Sequence, residues 1–121
     1  MQLKTIEKNG IKVAVVTGSE LPISDVQSAL DLLVTVRYET DCDRIALDKV
    51  SVSEAFFVLS SGLAGDVLQK FSNYQMKLAI FGDYTRYTSK PLRDFIRESN
   101  RGNQVFFTAT EDEAVERLGE V

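Results

Sequence analysis

The spacing of apolar residues changes period along the chain, and the changes mark out its elements. Residues 3–7 (LKTIE) and 11–17 (IKVAVVT) are β-rich runs, the second mostly apolar and rich in valine. Between them stands Lys8-Asn9-Gly10. An Asn-Gly pair tolerates the positive φ angles of a tight two-residue turn, so a β-hairpin is predicted at the start. Past Gly18 the apolar period becomes helical. Val26, Ala29, Leu30, Leu33 and Val34 fall on one stripe, with Ser24 placed to cap it and Pro22 just ahead.

Residues 44–48 (RIALD) form a short β-run that residues 50–52 extend, and residues 53–59 read as a helical turn. From Gly62, the stripe Leu63, Val67, Leu68 and Phe71 predicts a second helix, whose first turn is kept slim by Gly62, Ala64 and Gly65. KLAIF, at 77–81, is a strand of the kind covered on both faces in a parallel sheet. A third helix follows, capped by Ser89, with Pro91 in its first turn and Gly102 at its end. Its buried side carries Leu92, Phe95, Ile96 and Ser99. Residues 104–108 (QVFFT) form the last strand, and Thr110 with Glu113 opens a final helix carrying Ala114, Val115 and Leu118. The order β-β-α-β-α-β-α-β-α predicts an α/β fold with a mainly parallel sheet of about five strands, the first of them antiparallel.

At 121 residues, 44% hydrophobic and 26% charged, the chain suits one domain with one core. Its single cysteine, Cys42, excludes an internal disulfide and favours a reducing compartment; no leader pattern opens the chain, so a cytoplasmic location is expected. A net charge of −4 gives no pull toward nucleic acid or anionic lipid, and no apolar run approaches the length of a membrane span. Histidine is absent, which removes the commonest general base and nitrogen ligand, and the glycines match no nucleotide-binding fingerprint. Glu111, Asp112 and Glu113 fall where acidic residues favour a helix N-terminus. No catalytic residue, cofactor or metal is therefore expected.

Three groups of residues are candidates for binding. Asp83, Tyr84, Arg86, Tyr87 and Lys90 follow the end of a strand, where open α/β sheets bind ligands, although tyrosines tucked against the body would give the same pattern. Arg93, Arg97 and Arg101 line one helical face; beside Asp94 and Glu98 they read as a solvated face with ion pairs, and a patch for phosphate or an acidic partner is the alternative. Ser60 and Ser61 precede the second helix as N-cap candidates, and a phosphate at Ser61 would meet free backbone N–H groups and the positive end of the helix dipole.

The element order resembles the STAS fold of anti-sigma-factor antagonists and sulfate-transporter domains. Ser60-Ser61-Gly62-Leu63 stands where those antagonists carry a Ser-rich turn before a Gly-Leu helix start. The resemblance implies a non-enzymatic regulatory or adaptor domain that binds a protein partner through Gly62, Leu63, Gly65 and Asp66 and is switched by phosphorylation at Ser61. Leu59 departs from the pattern, since antagonists carry an Asp there. GLAGDVLQKFSNY, KLAIFGDY, SKPLRDFIRESN, GNQVFF and EDEAVERL resemble more specifically a family of small bacterial proteins, domain of unknown function 4180, which implies no activity. The alternative is a small-molecule sensor or carrier that binds at the C-terminal ends of the parallel strands. An open sheet also leaves an edge through which a homodimer could form.

Overall fold

Asn9 and Gly10 take φ angles of 55° and 77°, the paired left-handed conformation of a tight hairpin turn, and β1 (Gln2–Lys8) folds back on β2 (Ile11–Thr17) through them. A computed structural model of the chain describes residues 1–18 and 23–121, so Pro22 lies outside the described residues. β3 (Arg44–Asp48), β4 (Lys77–Phe81) and β5 (Val105–Thr108) extend the sheet in chain order, each parallel to its neighbour. The helices are α1 (Val26–Thr40), α2 (Leu63–Asn73), α3 (Lys90–Arg101) and α4 (Glu111–Gly119). The expected element order and the antiparallel first strand are both present. Among the described residues no helix is long and apolar enough to cross a membrane.

Alternation of side chains along each strand divides the core into two layers. Ala14, Val16, Ile45, Leu47, Leu78, Ile80, Val105 and Phe107 face α1, α2 and α3, and Val13, Val15, Ala46, Ala79 and Phe106 face α4. KLAIF is accordingly covered on both sides. Arg44 secures α4 from beneath by donating to the carbonyls of Leu118 and Val121.

Three local expectations are corrected. α1 is capped by Asp25 rather than Ser24: the Asp25 carboxylate accepts the Ser28 N–H at 2.7 Å, and the Ser28 hydroxyl accepts the Asp25 N–H at 3.0 Å. Its buried stripe is Ala29, Leu32, Leu33 and Val36, while Val34 is 49% exposed on the far side with Tyr38 at 89%. Residues 50–52 do not extend β3, because the Asp48 carboxylate accepts the Val50 N–H at 3.1 Å and turns the chain into the first of three short 3-10 turns. These turns, Lys49–Ser51, Glu54–Phe57 and Leu59–Ser61, carry the chain to α2, which starts at Leu63.

β5 is an edge strand, and its outer side is closed by a side chain rather than by another strand. Asn100 of α3 accepts the Phe107 N–H at 2.7 Å and donates to the Phe107 carbonyl at 3.1 Å, which satisfies both backbone groups. Arg117 of α4 reaches the Asn100 carbonyl at 2.5 Å and lies over the Phe106 ring at 4.3 Å. Because the strands run in chain order, no two adjacent parallel strands send their connections in opposite directions. Any crevice at their C-terminal ends must come from how a loop and a helix stand apart.

Candidate functional site

Such a crevice lies beside α3. The segment after β4 begins at Gly82, where a Cβ would come within 2.6 Å of the Lys49 Cβ, so only glycine lets the chain lie on the Lys49 stem. Asp83 then closes a turn by accepting both the N–H and the hydroxyl of Thr85, at 2.8 and 2.6 Å, and these bonds hold its carboxyl below the usual range. The Tyr84 hydroxyl donates to the Ile80 carbonyl at 2.6 Å. Burial, with the negative charges of ionised Tyr87 and Asp48 adding to it, raises the Tyr84 phenol far above its ordinary value, so it stays protonated.

The far side of this loop is anchored at one carboxylate. Tyr87 donates to Glu54 at 2.8 Å, Lys49 pairs with the same group at 3.2 Å, and Arg86 forms an ion pair with it. Burial alone would raise the Glu54 carboxyl; the hydrogen bonds from Tyr87 and Lys49, with the charges of Lys49 and Arg86, outweigh it and lower the pKa. The Lys49 ammonium sits 4.9 Å from the centroids of both Phe57 and Tyr87, with its side chain 11% exposed, and the Tyr87 ring stacks on Phe57 at 5.3 Å. A stem buried against rings with its charge answered by a carboxylate is a stable arrangement for lysine.

On its other side the loop walls a cleft of about 1150 Å³ that opens beyond the ends of β4 and β5 and runs along α3. Tyr84, Tyr87, Ile96 and Phe107 supply apolar lining, and Asp83, Arg93, Arg97 and Arg101 supply charge. A smaller depression of about 580 Å³ lies beyond Glu54, between Asp48, Ser53, Asp83 and Arg86. Among the described residues, no three Asp, Glu or Cys side chains converge as a metal site would need.

The loop candidates therefore divide. Asp83, Tyr84 and Tyr87 border the main cleft, Arg86 turns to the opposite side, and Lys90 pairs with Asp94 at 2.7 Å. Arg97 and Arg101 make the expected ion pairs, with Asp94 at 2.6 Å and Glu98 at 3.2 Å, yet these arginines and Arg93 also line the cleft. The residues at the start of α2 stand apart, since none of Ser60, Ser61, Gly62, Leu63, Gly65 or Asp66 lines it. Gly62 takes the N-cap position with φ of 78°; the exposed Ser61 ends the preceding turn, where its hydroxyl donates to the Ala55 carbonyl at 2.7 Å and accepts the Leu63 N–H at 3.2 Å. Ser60, Gly65 and Asp66 are exposed and Leu63 is half-buried. Lys49, Glu54, Phe57 and Asn100 escaped the sequence reading. Asn100 alone left a signal, as a polar residue one turn after Ile96 on a half-buried stripe.

Comparison with known proteins gives one finding of family. No curated protein and no solved structure matches the chain. The family described as domain of unknown function DUF4180 matches residues 8–118, a stretch that takes in every residue named in the cleft and in its Glu54 anchor. The chain therefore belongs to the DUF4180 family.

Proposed function

We propose that this protein is a non-catalytic sensor or carrier domain that binds a small organic molecule in the cleft beside α3. The observation that carries the reading is the cleft itself: about 1150 Å³, placed at the C-terminal ends of parallel strands, with one wall fixed in advance by the Glu54 anchor. Binding sites for small molecules are concave, largely apolar and preformed, with a few polar groups to orient the ligand. A wall already held in place lowers the ordering cost of binding. The ionisable groups support binding over chemistry. Tyr84 spends its proton on the Ile80 carbonyl, Asp83 is committed to Thr85, and the chain has no histidine to move a proton near neutral pH.

Thermal melting in the presence of small organic molecules tests this reading. A ligand at 100 times its Kd adds about 2.7 kcal/mol of stability. Ala109→Trp places a large ring at an exposed position on the cleft lining and should abolish the rise in melting temperature. A rise of equal size in that variant would remove the cleft from the account.

A second reading rests on Ser61 and on the resemblance to the STAS antagonists, which makes the start of α2 a partner-binding face. Phosphorylation would take from Ser61 the proton that the Ala55 carbonyl accepts and would set a dianion beside the first N–H groups of α2. In affinity capture, Ser61→Asp and Ser61→Ala should then recover different partners. Identical recoveries would dismiss the switch.

A further inference from the structure

Charge in the cleft runs against the balance of the whole chain. The protein carries a net −4, yet the charged residues that line the cleft are three arginines and one aspartate. Asp83, the aspartate, already accepts two hydrogen bonds from Thr85. Arg93, Arg97 and Arg101 follow each other at four-residue spacing along α3, which places their backbones about 6 Å apart in a row about 12 Å long. Arg97 and Arg101 are each paired to an acidic residue three positions earlier, with side chains 57% and 68% exposed. Exposed pairs of this kind are weak, so a ligand anion can take the place of the carboxylate. Arg93 makes no ion pair among the described residues.

Apolar surface adjoins the row. Ile96, three residues after Arg93 on α3, and Phe107 form part of the same lining. Thr108 and Ala109 border the cleft where the chain enters α4, and the first turn of α4 carries Glu111, Asp112 and Glu113. The positive groups that line the cleft all lie on α3, so a negatively charged ligand would be drawn there.

Resting on the binding reading above, we infer that the ligand of this cleft is an amphipathic organic anion. Its carboxylate or phosphate is held by Arg93, with Arg97 as a second donor, and its apolar body lies on Ile96 and Phe107. A guanidinium offers paired N–H donors that match either oxyanion, which makes Arg93 the residue that distinguishes a charged ligand from a neutral one of the same shape.

Two fluorescent probes separate this inference from the reading beneath it. Anilinonaphthalene sulfonate and N-phenylnaphthylamine share an aromatic body, and only the first is anionic. The intact protein should bind the sulfonate more tightly. Arg93→Ala should weaken sulfonate binding about tenfold, the cost of one charge-assisted contact, and leave the neutral probe unchanged, with Arg93→Lys in between. Because Arg93 is exposed, these variants should keep the wild-type melting temperature. Equal affinity for the two probes, or sulfonate binding that ignores Arg93→Ala, would overturn the inference and leave a cleft for neutral ligands. Probe binding that persists unchanged in Ala109→Trp would overturn the cleft reading as well. Displacement of the sulfonate by phenyl phosphate or by phenylacetate identifies the preferred oxyanion, and displacement by neither contradicts the proposal.

Discussion

Asn100→Ala is the substitution whose cost the structure defines best. Phe107 is 5% exposed, and both of its backbone hydrogen-bonding groups point out of the sheet at the Asn100 amide. Removal of that amide leaves a buried N–H and a buried carbonyl without partners, at about 1–3 kcal/mol for each. Asn100 is itself half-buried, so water entering from the cleft replaces part of what is lost, and the net cost falls to about 2–3 kcal/mol. In a domain of this size, with about 3–5 °C for each kcal/mol, the melting temperature should drop by roughly 6–15 °C. Asn100→Asp keeps the acceptor for the Phe107 N–H and sets a negative oxygen against the Phe107 carbonyl. The folded state then favours the protonated form, so the pKa of the introduced carboxyl is raised on folding. Its protonation recovers stability below about pH 4, and that stability is lost as the pH rises through the raised value. Urea denaturation followed by circular dichroism at neutral and acidic pH measures both variants against the wild type. An Asn100→Ala protein within about 0.5 kcal/mol of the wild type, at unchanged slope, would show that the edge of β5 does not depend on this side chain.

Glu54→Gln should cost only about 1 kcal/mol of global stability, because Glu54 and Arg86 are exposed and the Lys49 ammonium, though its stem is buried, keeps the faces of Phe57 and Tyr87. It should nevertheless speed amide exchange across residues 83–88, and unchanged exchange there would refute the anchor. The Glu54 carboxyl is lowered on folding, so its contribution is complete above the ordinary glutamate pKa near ~4.3 and is lost as the pH falls through the folded value. Protection of the loop amides in the wild-type protein, taken as intrinsic over observed exchange, should fall over that same acidic window. Gly62→Ala meets no atom within 4 Å, so its penalty comes from φ of 78° alone, about 1–2 kcal/mol, readable as a lower melting temperature.

Periodic elements are legible in the sequence because their burial is periodic. KLAIF, the Asn9-Gly10 turn, the Ser89 cap and the stripe of α2 each follow from local spacing, and the order of strands and helices follows from them. The start of α1 reads one residue early because Ser24 and Asp25 are both good caps; the choice falls to Asp25 through the reciprocal bond with Ser28. The site is legible only in part. Asp83, Tyr84 and Tyr87 can be found from their place after a strand, but Lys49, Glu54 and Phe57 lie in 3-10 turns that leave no repeating pattern, and Glu54 meets Tyr87 across 33 residues of sequence. The arginine row reads as a solvated face because Asp94 and Glu98 answer two of its charges. Nothing in the spacing of α3 shows that this face borders a cleft. That depends on how far α3 stands from the loop and from the end of β5.

Amide NMR of the labelled protein titrated with anilinonaphthalene sulfonate tests the central claim most directly. The account predicts shifts concentrated at residues 83–88, 93–101 and 107–109, the loop, helix face and strand end that enclose the cleft. Shifts centred instead on the exposed Val34 and Tyr38 of α1, or on the start of α2 around Ser61, would contradict it.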